Sequence, residues 1–169
     1  MEPPLFREVQ KQRSPFLRSL KYVPLVFSLI YYFQQFLISG FSPAPEIHLI
    51  CLSSIIVSVL VVKWVGSIQL ITELYPHQVV VNMKHFPGGK WSAPTDLIKH
   101  SYIREFSGLT DFGGYGVRRS LSDKGICYTV SGNMGWQLEL TNGQKVLIGT
   151  QEPEKLREIL KQHSMEKQS

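Results

Sequence analysis

Residues 22–45 contain no charged side chain, and past Glu46 residues 47–62 contain none either. No other feature restricts the fold of this chain as strongly. As a helix, the first block is long enough to cross a hydrocarbon core of ~30 Å. The second reaches ~24 Å on its apolar residues alone. There Lys63 can snorkel while Trp64, Val65 and Gly66 add length. The break between them, Gly40-Phe41-Ser42-Pro43-Ala44-Pro45-Glu46, has room only for a turn, which makes the two helices antiparallel neighbours. The expectation is a transmembrane helical hairpin over residues 22–66, with spans of about 22–41 and 47–66.

Charge sets the orientation of that hairpin. Residues 1–21 hold Arg7, Lys11, Arg13, Arg18 and Lys21 against Glu2 and Glu8, so most of the net charge of +5 lies in this basic arm. Juxtamembrane Lys and Arg favour the cytoplasmic side. The chain is therefore expected in the cell (inner) membrane as a multi-pass protein with both termini cytoplasmic. Pro3-Pro4 and Ser14-Pro15 interrupt regular structure in the arm, and Phe16, Leu17 and Leu20 suggest a short interfacial segment. The first apolar block exceeds the h-region of a cleaved signal peptide, about 7–15 residues. The basic residues are too sparse for a nucleic-acid site, and none is expected.

Gln34 and Gln35 are costly in lipid unless bonded, so they should meet the partner helix or another protein. Ser54 and Ser58 form a small-xxx-small pair that lets backbones approach. These four residues are the candidate contacts within the membrane.

From Ser67 the periodicity becomes that of strands. Ile68, Leu70 and Leu74 share one face, and Val79, Val81 and Met83 return after the turn Tyr75-Pro76-His77. Further strands are expected around Trp91, over residues 99–106, and at Ile126, Tyr128 and Val130. Trp136, Leu138 and Leu140 alternate in the next, which Asn142-Gly143 joins to Val146 and Ile148 as a type I′ hairpin. Glu152-Pro153-Glu154 opens the one helix expected in this part, with Leu156, Ile159 and Leu160 as its apolar stripe. Glu154–Arg157 and Glu158–Lys161 should pair along its outer side, and residues 164–169 read as a flexible tail.

Several runs resemble the second half of bacterial PH-like domains. They are Gly113-Gly114-Tyr115-Gly116-Val117-Arg118-Arg119, then Gly125-Ile126-Cys127-Tyr128 and Ser131-Gly132, then Asn142-Gly143-Gln144-Lys145 running on through Val146 and Ile148 to Leu156. Residues 146–156 are the most specific part, and the resemblance covers roughly 67–162. It implies an α + β chain: the N-terminal two-helix hairpin, then a barrel of about seven antiparallel strands at 67–163, capped by a C-terminal helix. Members of this group often sit beside short membrane hairpins, and most have no assigned biochemical activity. Phosphoinositide-binding PH domains place basic residues in the first hairpin. Here that hairpin reads Leu74-Tyr75-Pro76-His77-Gln78, so inositol-phosphate binding does not carry over.

Catalysis has little to rest on. His48, His77, His85 and His100 lack metal-ligand spacing, Asp96, Asp111 and Asp123 lie in loops, and no nucleophile-elbow motif occurs. Cys51 and Cys127 read as small buried hydrophobes. The Gly-rich run at 113–116 matches no phosphate-binding loop. No metal, cofactor or enzymatic activity is expected. The function expected is that of a non-catalytic module that binds a protein partner or itself. The alternative is an anionic-lipid sensor with a basic face. The candidate binding residues are Lys84, Lys99, Arg104, Arg118 and Arg119, the last two pointing to opposite sides of any extended segment.

Overall fold

The computed structural model describes residues 3–11, 19, 22–38, 45–120 and 125–166. The chain divides into two compact units, Met1–Arg13 with Ile68–Ser169, and Ser14–Ser67.

The second unit holds two helices in contact with each other, α1 (Val23–Ile38) and α2 (Pro45–Ser67). Pro24 lies in the first turn of α1 and Pro45 begins α2, where a missing N–H interrupts no helical bond. Most of the expected far turn, residues 39–44, lies outside the described residues, but Pro45 and Glu46 belong to α2 rather than to the turn. At 23 residues, α2 is the one described helix long and apolar enough to cross a hydrocarbon core. With 16 residues, α1 is shorter, ~24 Å at 1.5 Å per residue. Both are apolar nearly all round. Phe27, Leu29, Ile30, Phe33 and Ile38 of α1 and Leu49, Leu52, Val57 and Leu60 of α2 are all more than half exposed.

The first unit is a pair of sheets around one core. The smaller has the order β1 (Phe6–Lys11), β2 (Gln69–Leu74), β3 (Gln78–Lys84), β4 (Lys90–Pro94), all antiparallel. The larger has five strands: β5 (Ile98–Glu105), β6 (Gly116–Arg119), β7 (Ile126–Thr129), β8 (Met134–Leu140) and β9 (Lys145–Gly149). Their order across the sheet is β5-β8-β9-β7-β6. Period-2 alternation gives each strand an inward face. Phe6, Leu70, Leu74, Val79, Val81 and Met83 from one sheet meet Tyr128, Trp136, Leu138, Val146 and Ile148 from the other. The C-terminal helix α4 (Pro153–Glu166) adds Leu156, with Ile159 and Leu160 partly buried beside it. Its Arg157 bonds Glu154 at 2.7 Å on the outside. The other face of the larger sheet is partly covered by a second cluster, Phe106, Phe112, Cys127 and Leu147.

Several features depart from the expectation, and one is that α4 continues to Glu166, through part of the tail expected at 164–169. The described strands number nine in two sheets rather than about seven in a single barrel. One of them, β1, comes from the stretch read as a basic arm, which puts the helical segment inside the β-domain sequence instead of before it. Its inward residues after Phe6 are Glu8 and Gln10, so no apolar alternation advertises a strand. Nor is the larger sheet wholly antiparallel, because β7 pairs parallel with β9. The chain reverses over residues 130–133 and leaves a one-strand gap between β7 and β8, which β9 fills. The Asn142-Gly143 turn is not type I′, which needs positive φ at both positions. Only Gly143 is left-handed (φ 83°), and Gly143 N donates to the Leu140 carbonyl while Leu140 N donates to that of Gln144. This is the three-residue loop in which a left-handed glycine completes the turn. A five-residue helix, α3 (Gly108–Phe112), also occupies part of the Gly-rich centre, capped by Ser107 and ended by Gly113.

Candidate functional site

The five candidate basic residues are dispersed by strand order. Lys84 ends β3 in the smaller sheet, while Lys99 and Arg104 lie in β5 and Arg118 and Arg119 in β6. β5 and β6 are the two edges of the larger sheet, with three strands between them. Residue Asp111 of α3 spans the interval: its carboxylate lies 4.0 Å from Arg104 Nη1, and its carbonyl accepts from Ser120 Oγ, next to Arg119, at 3.2 Å.

Individually they also differ. Arg104 is committed to the domain: its Nε donates to Gln137 Oε1 at 3.0 Å, and its Nη1 lies 4.0 Å from Asp111 Oδ2. The same Asp111 oxygen accepts from Ser107 N at 3.2 Å, so Arg104 braces the start of α3. Lys99 is exposed where the β5–β8 register shifts between Ile98 and His100. Arg118 pairs across from Cys127 and Arg119 from Ile126, which places them on opposite faces of β6. Arg118 Nε donates to the Tyr115 carbonyl at 3.3 Å. Arg119 lines a groove of about 620 Å³ with Ser120, Gly125, Gln144 and Lys145.

Among the membrane-helix candidates, Gln34 is exposed and Gln35 half-buried. Ser58 is buried, and its hydroxyl donates to the Ser54 carbonyl at 2.8 Å, inside its own helix. A polar contact between the helices is made by Tyr32 Oη and His48 Nδ1, 3.1 Å apart. Neither residue stands among the membrane contacts expected from the sequence, which are Gln34, Gln35, Ser54 and Ser58. The separation of Tyr32 and His48 across the expected turn was the available signal.

The most elaborate polar site had no candidate in it. Glu8 and Gln10 face inward from β1 and are 4% and 0% exposed. Glu8 accepts from Thr150 Oγ1 at 2.8 Å and from Gln151 N at 2.6 Å, at the junction of β9 and α4. Gln10 Nε2 donates to the Gly149 carbonyl. Gln151 returns the contact, its Nε2 donating to the Lys11 carbonyl at 3.3 Å and to Ser131 Oγ at 3.0 Å. Burial raises the Glu8 pKa, and the bonds from Gln151 and Thr150 oppose that rise. This is a latch between the first strand and the junction of β9 with α4.

Burial pushes the Cys127 thiol up to about 12, which keeps it protonated at neutral pH and unreactive. Among the described residues, no three His, Cys, Asp or Glu side chains gather as metal ligands. No family model, curated protein or solved structure matches this chain.

Proposed function

We propose that this chain is a membrane-tethered, non-catalytic interaction or assembly module. In this reading a PH-like β-domain is held at the cytoplasmic face of the cell membrane and binds a protein partner or a second copy of itself. The observation that carries the reading is the uncovered apolar surface of α2: only 6% of its most apolar 18-residue window is buried. A helix hydrophobic all round needs an apolar surrounding that the chain itself does not supply. The register of β1 and β2 supports two crossings. Lys11 and Gln69 are direct partners, so the segment between them leaves and returns at one end of a sheet. Both ends of that segment must then be on one side of any membrane, which requires an even number of spans.

Among the described residues β6 ends the larger sheet with no further strand beside it, and such an edge would supply a surface for strand addition. A sensor built from Lys84, Lys99, Arg104, Arg118 and Arg119 has less support, since those residues lie on different sheets and opposite edges. In-membrane cross-linking of the full chain, with tags at both ends, tests the proposal. The expected result is a protein resistant to alkaline carbonate extraction, both tags accessible from one side, and a captured neighbour or homodimer. Release by carbonate, or tags on opposite sides, would overturn it.

A further inference from the structure

The outer face of the smaller sheet is ordered by charge along its strands. Its register aligns three rows: Arg7, Glu73, Val80 and Ser92, then Val9, Ile71, Asn82 and Lys90, then Lys11, Gln69 and Lys84. In the first row the opposite charges cancel, Arg7 Nε lying 3.0 Å from Glu73 Oε1. The other two rows contain Lys11, Lys84 and Lys90 and no acidic residue. All three lysines are exposed. Lys11 and Lys84 flank Gln69 from the two neighbouring strands, at ~5 Å between partnered Cα atoms. Lys90 is partnered with Asn82, two residues along β3 from Lys84.

The position of this cluster along the chain supplies its meaning. Lys11 is the last residue of β1 before the helical segment, and α2 ends at Ser67, two residues before Gln69. Two residues of chain reach at most ~7 Å. The basic end of the sheet is therefore the end tied to the apolar helices, and the neutral Arg7–Glu73 row is the end remote from that tie. The sequence of the joining segment adds charge of the same sign at Arg13, Arg18, Lys21 and Lys63.

We propose that Lys11, Lys84 and Lys90 form a contact surface for the headgroups of anionic membrane lipids. This rests on the membrane reading above and adds to it the lipid class the domain meets. Lysine suits the task. Its ammonium is a compact charge on a long stem, which needs no fixed geometry to attract a diffuse layer of phosphates. Because it is electrostatic and exposed, the contact weakens with salt.

The test uses the full chain in nanodiscs of phosphatidylcholine, with and without phosphatidylglycerol. Brief amine-reactive labelling is followed by site-resolved mass spectrometry. In the anionic discs Lys11, Lys84 and Lys90 are expected to label roughly fivefold more slowly, and the difference disappears at high salt. Lys99 and Lys145, on the other sheet, label equally in both. Equal rates at the three lysines, slowing that survives high salt, or equal slowing at Lys99 and Lys145 each overturns the proposal. Carbonate extraction of native membranes separates the two failures. Release of the protein ends the membrane reading and this surface with it, whereas retention with unchanged lysine rates ends the surface alone.

Discussion

Glu8 is a carboxylate with almost no exposure, held by a hydroxyl and a backbone N–H from the far end of the chain. Burial, the largest influence, lifts its pKa above the ordinary 4.5 despite those donors. The folded chain holds this proton to a higher pH than the unfolded chain, so its contribution is greatest below the unfolded pKa and is lost as pH rises through the folded one. Glu8→Gln removes the titration while keeping one acceptor and the shape. Thermal unfolding of the full chain in mild detergent should show the native protein losing stability relative to Glu8→Gln as pH rises from about 4 towards neutrality. A relative gain over that range would mean that the donors outweigh burial. Glu8→Ala, which leaves the Thr150 hydroxyl and Gln151 N–H without their acceptor, should cost about 2–3 kcal/mol at neutral pH.

At the scale of elements, β7 and β9 come together where Gly125 passes the Lys145 backbone. Gly125 is left-handed (φ 86°), and a Cβ there would fall 1.9 Å from the Lys145 carbonyl oxygen. Gly143, also left-handed, opens onto empty space. Gly125→Ala should therefore destabilise by roughly 2–4 kcal/mol, whereas Gly143→Asn should cost under about 1 kcal/mol. Midpoints of thermal unfolding compare them directly, and equal losses would contradict the close approach. The elements legible in the sequence were those whose side chains announce their own period. Val79, Val81 and Met83, then Trp136 and Leu138, then Val146 and Ile148, and the Leu156 stripe of α4 all turn inward as alternation or helical spacing requires. β1 escaped because two of its three inward residues are polar, and α3 because five residues are too few to show a period. The opposite faces of Arg118 and Arg119 were legible from their adjacency, but the separation of Arg104 from them was not, since it follows from a strand order that only tertiary pairing sets.

For the whole molecule, the pairing of Lys11 with Gln69 makes residues 12–68 an insertion between two strands of one sheet. Replacing 12–68 by Asn-Gly should close β1 onto β2 with a two-residue loop and give a protein that remains in solution and unfolds cooperatively. Residues 68–169 alone should fare worse, because they lack Phe6, Glu8 and the partner for one edge of β2. Circular dichroism and urea titration distinguish the two, and equal stability would show that β1 is dispensable. The insertion also imposes an order in time. As the chain leaves the ribosome, β1 emerges first, and its partner follows only after about 57 further residues. At ordinary rates of synthesis that interval is roughly 3–11 s, long compared with helix formation. Both apolar helices are made within it. The β-domain therefore cannot complete its smaller sheet until the hydrophobic segment has been synthesised, and any machinery receiving those helices acts on a chain whose first strand is still waiting.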